Sequence, residues 1–572
     1  MKKNLLFSKM VLVAVLLLTG LSAKAATYYV RPFDNSTAWT NIPGATIYTL
    51  AAGNAFAFDI TYTAADTYYF SAGSYFIPAA TGITITTGKI YGGFSGNETA
   101  IDLNARDTSD KDANGIMEPW EFTNETAFTG NGLFAGAGSD GRNFFTVTGG
   151  EINGITMQNH YYYKSGTSYA GTITLGTFTA APTKAIDIDA NKGLMTLCTV
   201  KRIKSVNLGP IMLTNKNSVI DRCLIEECVT TKSSGSGAIY MPIVGGQILN
   251  SVIRNNAATG GSSVGTIYAT SSAGESNDGS GDMNVIVQNC VIYNNTASYS
   301  SAIRAVAIAG KRGAQIINCT FANNNSTVAG YSSVELHNGG TLVNSIVVGD
   351  PQTELRPTTA NGYISNSAYG ELYSISDLSA NVWPATDMAA AKVAADFNFT
   401  SNSTTAGAMI NGVTGTNTFV QGDYDAIRAA NYKITANTSV AVTTTGLKVL
   451  PATYTVGGLG VTTITHTASI PSTDLMGVSR PISTNGHLDL GAYQFSSMST
   501  GFSNSNKSIA KIYAVNEAII FNNAKGTRAT IYSICGQLIE SATISSDNQV
   551  ISINKGIYLV KIGSQVTKVF VK

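Results

Sequence analysis

Charge is scarce in this chain. Asp, Glu, Lys and Arg make up 12% of its 572 residues, and 36 basic residues are balanced by 35 acidic ones. So neutral a chain has no electrostatic footprint for nucleic acid and no basic tract for an anionic lipid surface. Proline is scarce at 13, and histidine scarcer at 4: His160, His337, His466 and His487 are scattered without partner spacing. No Ser/His/Asp order, phosphate loop or zinc motif stands out, which argues against triad hydrolases, nucleotide enzymes and zinc sites. Beyond the first 25 residues no apolar run is long enough for a membrane-spanning helix. Six cysteines are too few for a disulfide framework in an exported chain of this size.

What is present is β-rich and turn-rich: 57 glycines, 44% apolar residues, and abundant Thr, Ser, Asn, Ile and Val. Residues 1–25 read as a signal peptide. Lys2 and Lys3 give the basic start, residues 10–18 the apolar stretch, and Ala23, Lys24 and Ala25 a small-x-small cleavage site. No cysteine follows the apolar stretch, so lipid modification is not expected. The expected location is secreted or on the outer cell surface.

A repeat organises the middle of the chain. Cys198, Cys223, Ser251, Cys290, Cys319 and Ser345 each follow an aliphatic residue or Met by three positions and precede an aliphatic or Phe by two. Their spacings are 25, 28, 39, 29 and 26 residues, and residues 271–282 form a loop insertion in the longest. Such a period is one coil of a solenoid. A small residue repeated at one slot then forms a buried ladder, with a Cys198–Cys223 disulfide as the competing arrangement. Asparagine often precedes that slot, and Asn256, Asn295 and Asn324 stand five positions after it, with Cys228 equivalent. Asparagine tolerates the left-handed backbone of a tight corner, and its amide can bond the next coil.

These segments resemble the right-handed parallel β-helix proteins of the pectin-lyase-like group, most clearly at residues 316–324 (IINCTFANN) and 342–347 (LVNSIV). Residues 27–30 (TYYV) look like the first strand of the mature protein, and 90–96 (IYGGFSG) like an early coil of an exported subgroup. Residues 488–493 (LDLGAY) are similar to the closing "choice-of-anchor" module. The resemblance implies an all-β protein: a right-handed parallel β-helix over 26–496, with decorated late coils at about 351–480, and then a small Ig-like β-sandwich.

A polar linker at 497–508 leads to short β-patterned runs over 509–572. Residues 555–561 (KGIYLVK) and the closing 568–572 (KVFVK) resemble the C-terminal sorting domain of the type IX secretion machinery, although the usual opening Asn-Pro is missing. The implied partner is that machinery, after periplasmic passage. The alternative is an ordinary carbohydrate-binding sandwich.

Two candidate sites remain. Residues 110–121 (DKDANGIMEPWE) match the spacing of an EF-hand loop: Asp110, Asp112 and Asn114 at positions 1, 3 and 5, Gly115 at 6, the Ile116 carbonyl at 7 and Glu121 at 12. Calcium in a structural role is one reading and a polar loop the other; no cofactor is required. Three positions after the ladder slot stand Lys201, Glu226 and Arg254, which stacking brings into one exposed file. That file is either a set of weak catalytic candidates or an inter-coil salt-bridge ladder. Asp187 and Asp189 fit the wet face of a strand, and Tyr161–Tyr163, Tyr293, Tyr299 and Tyr331 offer stacking surfaces for sugars. The functional expectation is a non-catalytic role in adhesion, glycan binding or surface architecture, toward extracellular glycans or host surfaces. The alternative is a polysaccharide lyase or glycoside hydrolase.

Overall fold

The computed structural model describes residues 25–50, 65–76, 83–132, 144–162, 173–175, 192–242, 245–270, 281–348, 355–357, 363–369, 386–387, 446–456, 462–481 and 488–494, and most of 511–571. The leader, Asp187, Asp189, Tyr163, His487, Cys535 and the 497–508 linker lie outside the described residues. Two units are distinguished, Met1–Phe495 and Ser496–Lys572.

The first unit is all-β, with three long sheets in which every pairing is parallel, the arrangement of a β-helix-like solenoid. One sheet stacks Thr27–Arg31, Thr67–Ser71, Lys89–Phe94 and Glu151–Asn153, then Leu194–Thr196, Val219–Asp221 and so on to Tyr363–Ser365. The second carries Thr126–Gly132, Ile155–Tyr162, Thr199–Ser205, Leu224–Glu226, Val252–Arg254, Val291–Tyr293 and Thr320–Ala322. The third runs from Ile83–Ile85 to Leu355–Pro357.

The corner between the first two sheets falls where the repeat placed it. Asn250, Asn289, Asn318, Asn344 and Asn366 hold φ between 45° and 52°, with Leu197 and Arg222 at 54° and 52° in the same slot. A second left-handed file, Arg202, Glu227, Asn255, Asn294 and Asn323, bends the second sheet. These corners allow Ile225, Ile253, Ile292, Phe321 and Val347 to stack inward, all fully buried. Each such side chain contributes about 1.5–3 kcal/mol.

Beside this apolar file run two polar ladders. The Cys223 amide donates to Ser251 Oγ at 3.0 Å, and the Cys319 amide to Ser345 Oγ at 3.1 Å. The Cys228 amide donates to Asn256 Oδ1, that of Asn256 to Asn295 Oδ1, and that of Asn295 to Asn324 Oδ1, at 3.0, 2.9 and 3.1 Å. Cys198, Cys223, Cys228, Cys290 and Cys319 are free and buried, so no disulfide joins Cys198 to Cys223.

Among the described residues the last parallel rung is Thr386–Asp387. The described residues of 446–494 carry no parallel strand. They form an antiparallel hairpin, Thr453–Val456 with Thr462–Thr465, and lie along the first corner. The reason is polar satisfaction, because the corner amides that face outward need partners. Asn344 exchanges bonds with the Leu447 backbone at 2.8 and 2.6 Å, Gln315 Oε1 accepts from Thr467 and Ala468, and Asn289 donates to the Thr473 carbonyl at 2.7 Å.

The second unit holds two small antiparallel sheets, one of Lys511–Ala514, Ala518–Asn522 and Gln549–Ser552, the other of Leu538–Thr543, Arg528–Ser533, Gly556–Ile562 and Gln565–Val571. Ile519, Phe521, Ile531 and Val560 form its core. The strand Leu538–Thr543 was not legible in the sequence, because both Leu538 and Ile539 stay exposed and its alternation is weak.

Candidate functional site

The strands of the second sheet bring Lys201, Glu226, Arg254, Tyr293 and Ala322 into direct register. The file exists as expected, but most of it is not exposed. Glu226 is 5%, Arg254 2% and Tyr293 1% accessible, while the Lys201 side chain keeps 22%. The exposed-file expectation is corrected accordingly, and so is Tyr293 as a sugar platform. The cause is the loop that carries the EF-hand-like spacing. An isolated antiparallel bridge between Thr108 and Phe122 closes its neck. Ile116, Trp120 and Phe122 are buried, and Asp112 Oδ2 meets Arg254 Nη1 at 2.8 Å.

Arg254 is the hub. Its Nε donates to Glu226 Oε2 at 2.9 Å and its Nη1 to the Tyr293 hydroxyl at 3.1 Å. Burial alone would lower its pKa, but Tyr293, Glu226 and Asp112 together hold the guanidinium firmly charged. Burial pushes the Asp112 carboxyl up, more than the neighbouring Arg254 draws it down. Lys201 reaches sideways instead, to Glu125 Oε1 at 3.5 Å. Between loop and sheet lies a cavity of about 140 Å³ whose lining includes Glu125, Thr156, Lys201, Glu226, Arg254 and Trp120.

Within the loop, carboxylate oxygens of Asp110, Asp112 and Glu121 lie within 4.8 Å of one another. Gly115, at φ 81°, donates its amide to Asp110 Oδ2 at 3.0 Å. Glu121 accepts from the amides of Lys111 and Glu118, both at 3.0 Å. Asn114, also expected as a ligand, is engaged in bonds within the loop. The Asn114 amide group donates to Asp112 Oδ2 at 3.3 Å and Glu118 Oε1 at 2.8 Å, and its Oδ1 accepts from the Ile116 amide at 2.7 Å. Glu118, 2% exposed, was missed from the sequence, although it occupies position 9 of the loop. Burial first, then the hydrogen bond shared with Glu121 and the charges of Glu121 and Asp112, push its carboxyl up to about 9.

The third sheet carries a second file, Tyr240, Tyr268, Arg304, Glu335 and Arg356. Tyr299 and Tyr331, both partly exposed, lie beside it with ring centroids 4.3 Å apart. Arg304 lies over the Tyr299 ring at 5.7 Å and Arg356 over that of Tyr331 at 4.7 Å. Glu335 ties the group together, to Arg304 Nε at 3.4 Å and His337 Nε2 at 2.8 Å. The sequence singled out Tyr299 and Tyr331 but not the arginines, whose coils differ in length. The described histidines do not converge: His160 packs on Phe144, His337 bonds Glu335, and His466 lies against Tyr454.

Residues 502–571 match the model of a domain of unknown function, DUF6383. No curated protein matches the chain. No solved structure matches it either.

Proposed function

We propose that the chain is an exported, non-catalytic surface protein that binds extracellular glycans along the outer face of its third sheet. The observation that carries this reading is the partly exposed Tyr299–Tyr331 pair, flanked by Arg304, Glu335 and Arg356. Aromatic faces suit the apolar faces of sugar rings, and flanking guanidinium and carboxylate groups suit their hydroxyls. The solenoid is read as right-handed and pectin-lyase-like, and residues 488–493 as its choice-of-anchor closure. The C-terminal unit is read as an Ig-like sorting domain for the type IX secretion machinery, on the strength of residues 555–561 and 568–572. A glycan array probed with the full chain and with Tyr299→Ala/Tyr331→Ala tests the binding reading: signal lost in the variant supports it, and no signal in either overturns it. Mass spectrometry of the surface-exposed protein tests the export reading. The expected N-terminus lies at or near Ala26, with no peptide from the last 65 or so residues; a mature form that keeps Lys555 to Lys572 overturns the sorting-domain reading.

Cleavage of a polysaccharide is the second reading, favoured by the polar cavity beside Lys201 and Glu226. Against it, Glu226 and Arg254 are already committed to each other. A general acid or base needs a free path to substrate.

A further inference from the structure

The loop at residues 107–122 holds more acid than its ion pairs account for. Asp110, Asp112, Glu118 and Glu121 stand against one cation, Arg254, which also answers Glu226. Glu118 is the telling residue. Its Oε1 accepts from the same Asn114 amide group that reaches Asp112, so the carboxyl points into the cluster. Its other oxygen, Oε2, is fully buried and no N–H or hydroxyl donor reaches it; the carboxyl abuts that of Glu121 instead. Two buried carboxyls set against each other with no other donor between them are costly, and the arrangement calls for a shared proton or a cation. Beside it lies a void of about 10 Å³, lined by Asp112, Asn114, Glu118, Arg254 and Tyr293 among others. That is close to the space one water occupies.

We propose that this loop binds one Ca²⁺, ligated directly by Asp110, Asp112 and Glu121, with Glu118 as the water-mediated ligand of position 9. Oxygen-only donors and an adaptable loop suit a hard cation of calcium's size. Position 9 of such loops commonly reaches the ion through water. This matches the buried oxygen that no N–H or hydroxyl donor reaches and the adjoining water-sized void. Magnesium, which demands near-ideal octahedral geometry and sheds water reluctantly, fits less well. The site is structural. Its ion shares Asp112 with Arg254, so binding fastens the loop to the second sheet.

The test is calorimetric titration of the chelator-treated full chain with CaCl₂, alongside terbium luminescence sensitised by Trp120, which sits inside the loop. One Ca²⁺ per chain is expected, with Kd between about 10⁻⁶ and 10⁻³ M, terbium emission that calcium displaces, and a raised melting temperature. Asp110→Asn and Glu121→Gln abolish binding. Glu118→Gln weakens it roughly tenfold to hundredfold, while the calcium-free protein stays folded, because glutamine keeps the shape of the side chain and the oxygen that accepts from Asn114. Absence of heat, emission and thermal shift in the unmodified chain at millimolar calcium overturns the proposal. Unchanged calcium affinity in Glu118→Gln overturns the role given to that residue.

Discussion

Arg254 grips Asp112 across 142 residues of sequence, Nη1 to Oδ2 at 2.8 Å, and this ion pair fastens the acidic loop to the second sheet. Both groups are withdrawn from water, so the pair differs in kind from a surface salt bridge. Removing one partner leaves an uncompensated buried charge. Arg254→Ala therefore lowers stability by about 3–5 kcal/mol, read from urea unfolding. It also opens residues 107–122 to limited proteolysis. Unchanged stability and protection contradict the role assigned to Arg254.

Most of the solenoid is legible in the sequence because a coil repeats its demands. The Cys/Ser slot, the asparagine before it and the asparagine five positions later each recur at one place in the turn, and each is where the structure needs it. What was not legible depends on contacts between distant segments. Nothing near Arg254 announces that a loop from residues 107–122 will cover it, and no local signal shows that described residues of 446–494 will line the first corner. The C-terminal strands with one buried face could be read; Leu538–Thr543, which buries little, could not.

The thiols of the corner ladder are expected to be inert. Burial pushes Cys228 up to about 12, and Cys223 and Cys290 also rise, burial being the first cause in each. A thiol reagent should label none of the described cysteines in the native protein and all of them after denaturation. Cys223→Ser is tolerated to within about 1 kcal/mol, since Ser251 fills the same slot with a bonded hydroxyl. Cys223→Arg prevents folding. Rapid native labelling contradicts the ladder.

Asn295 sits in the middle of the second ladder. Its Oδ1 accepts from Asn256, and its Nδ2 donates to the Ile253 carbonyl at 3.0 Å. Asn295→Ala orphans these buried groups and costs about 1–3 kcal/mol. Asn294→Ala leaves the ladder intact and meets only the strain of its φ of 52°, about 1–2 kcal/mol. Asn294→Gly relieves that strain. Denaturation midpoints for the three variants check the order.

Glu335 gives a pH signature. Burial alone would raise its carboxyl, but the His337 bond, the Arg304 charge and the Ser300 hydroxyl outweigh it and hold the group below its ordinary range. A carboxyl depressed in the folded state contributes stability above its unfolded pKa, about 4.3, and loses it as pH falls through the folded value. Glu335→Gln should therefore melt below the unmodified protein at pH 7, with the gap closing under about pH 4. A gap that persists into acid contradicts the assignment.

The most direct test of a binding, non-cleaving solenoid is to follow turnover and binding in one preparation. The full chain is incubated with polyuronates and neutral glycans, while unsaturated-product absorbance, reducing ends and bound glycan are recorded together. The expected result is retention of a glycan, lost in Tyr299→Ala/Tyr331→Ala, with no product formed. Product formation that disappears in Glu226→Gln, while the circular dichroism and melting curve of the variant stay intact, would contradict it.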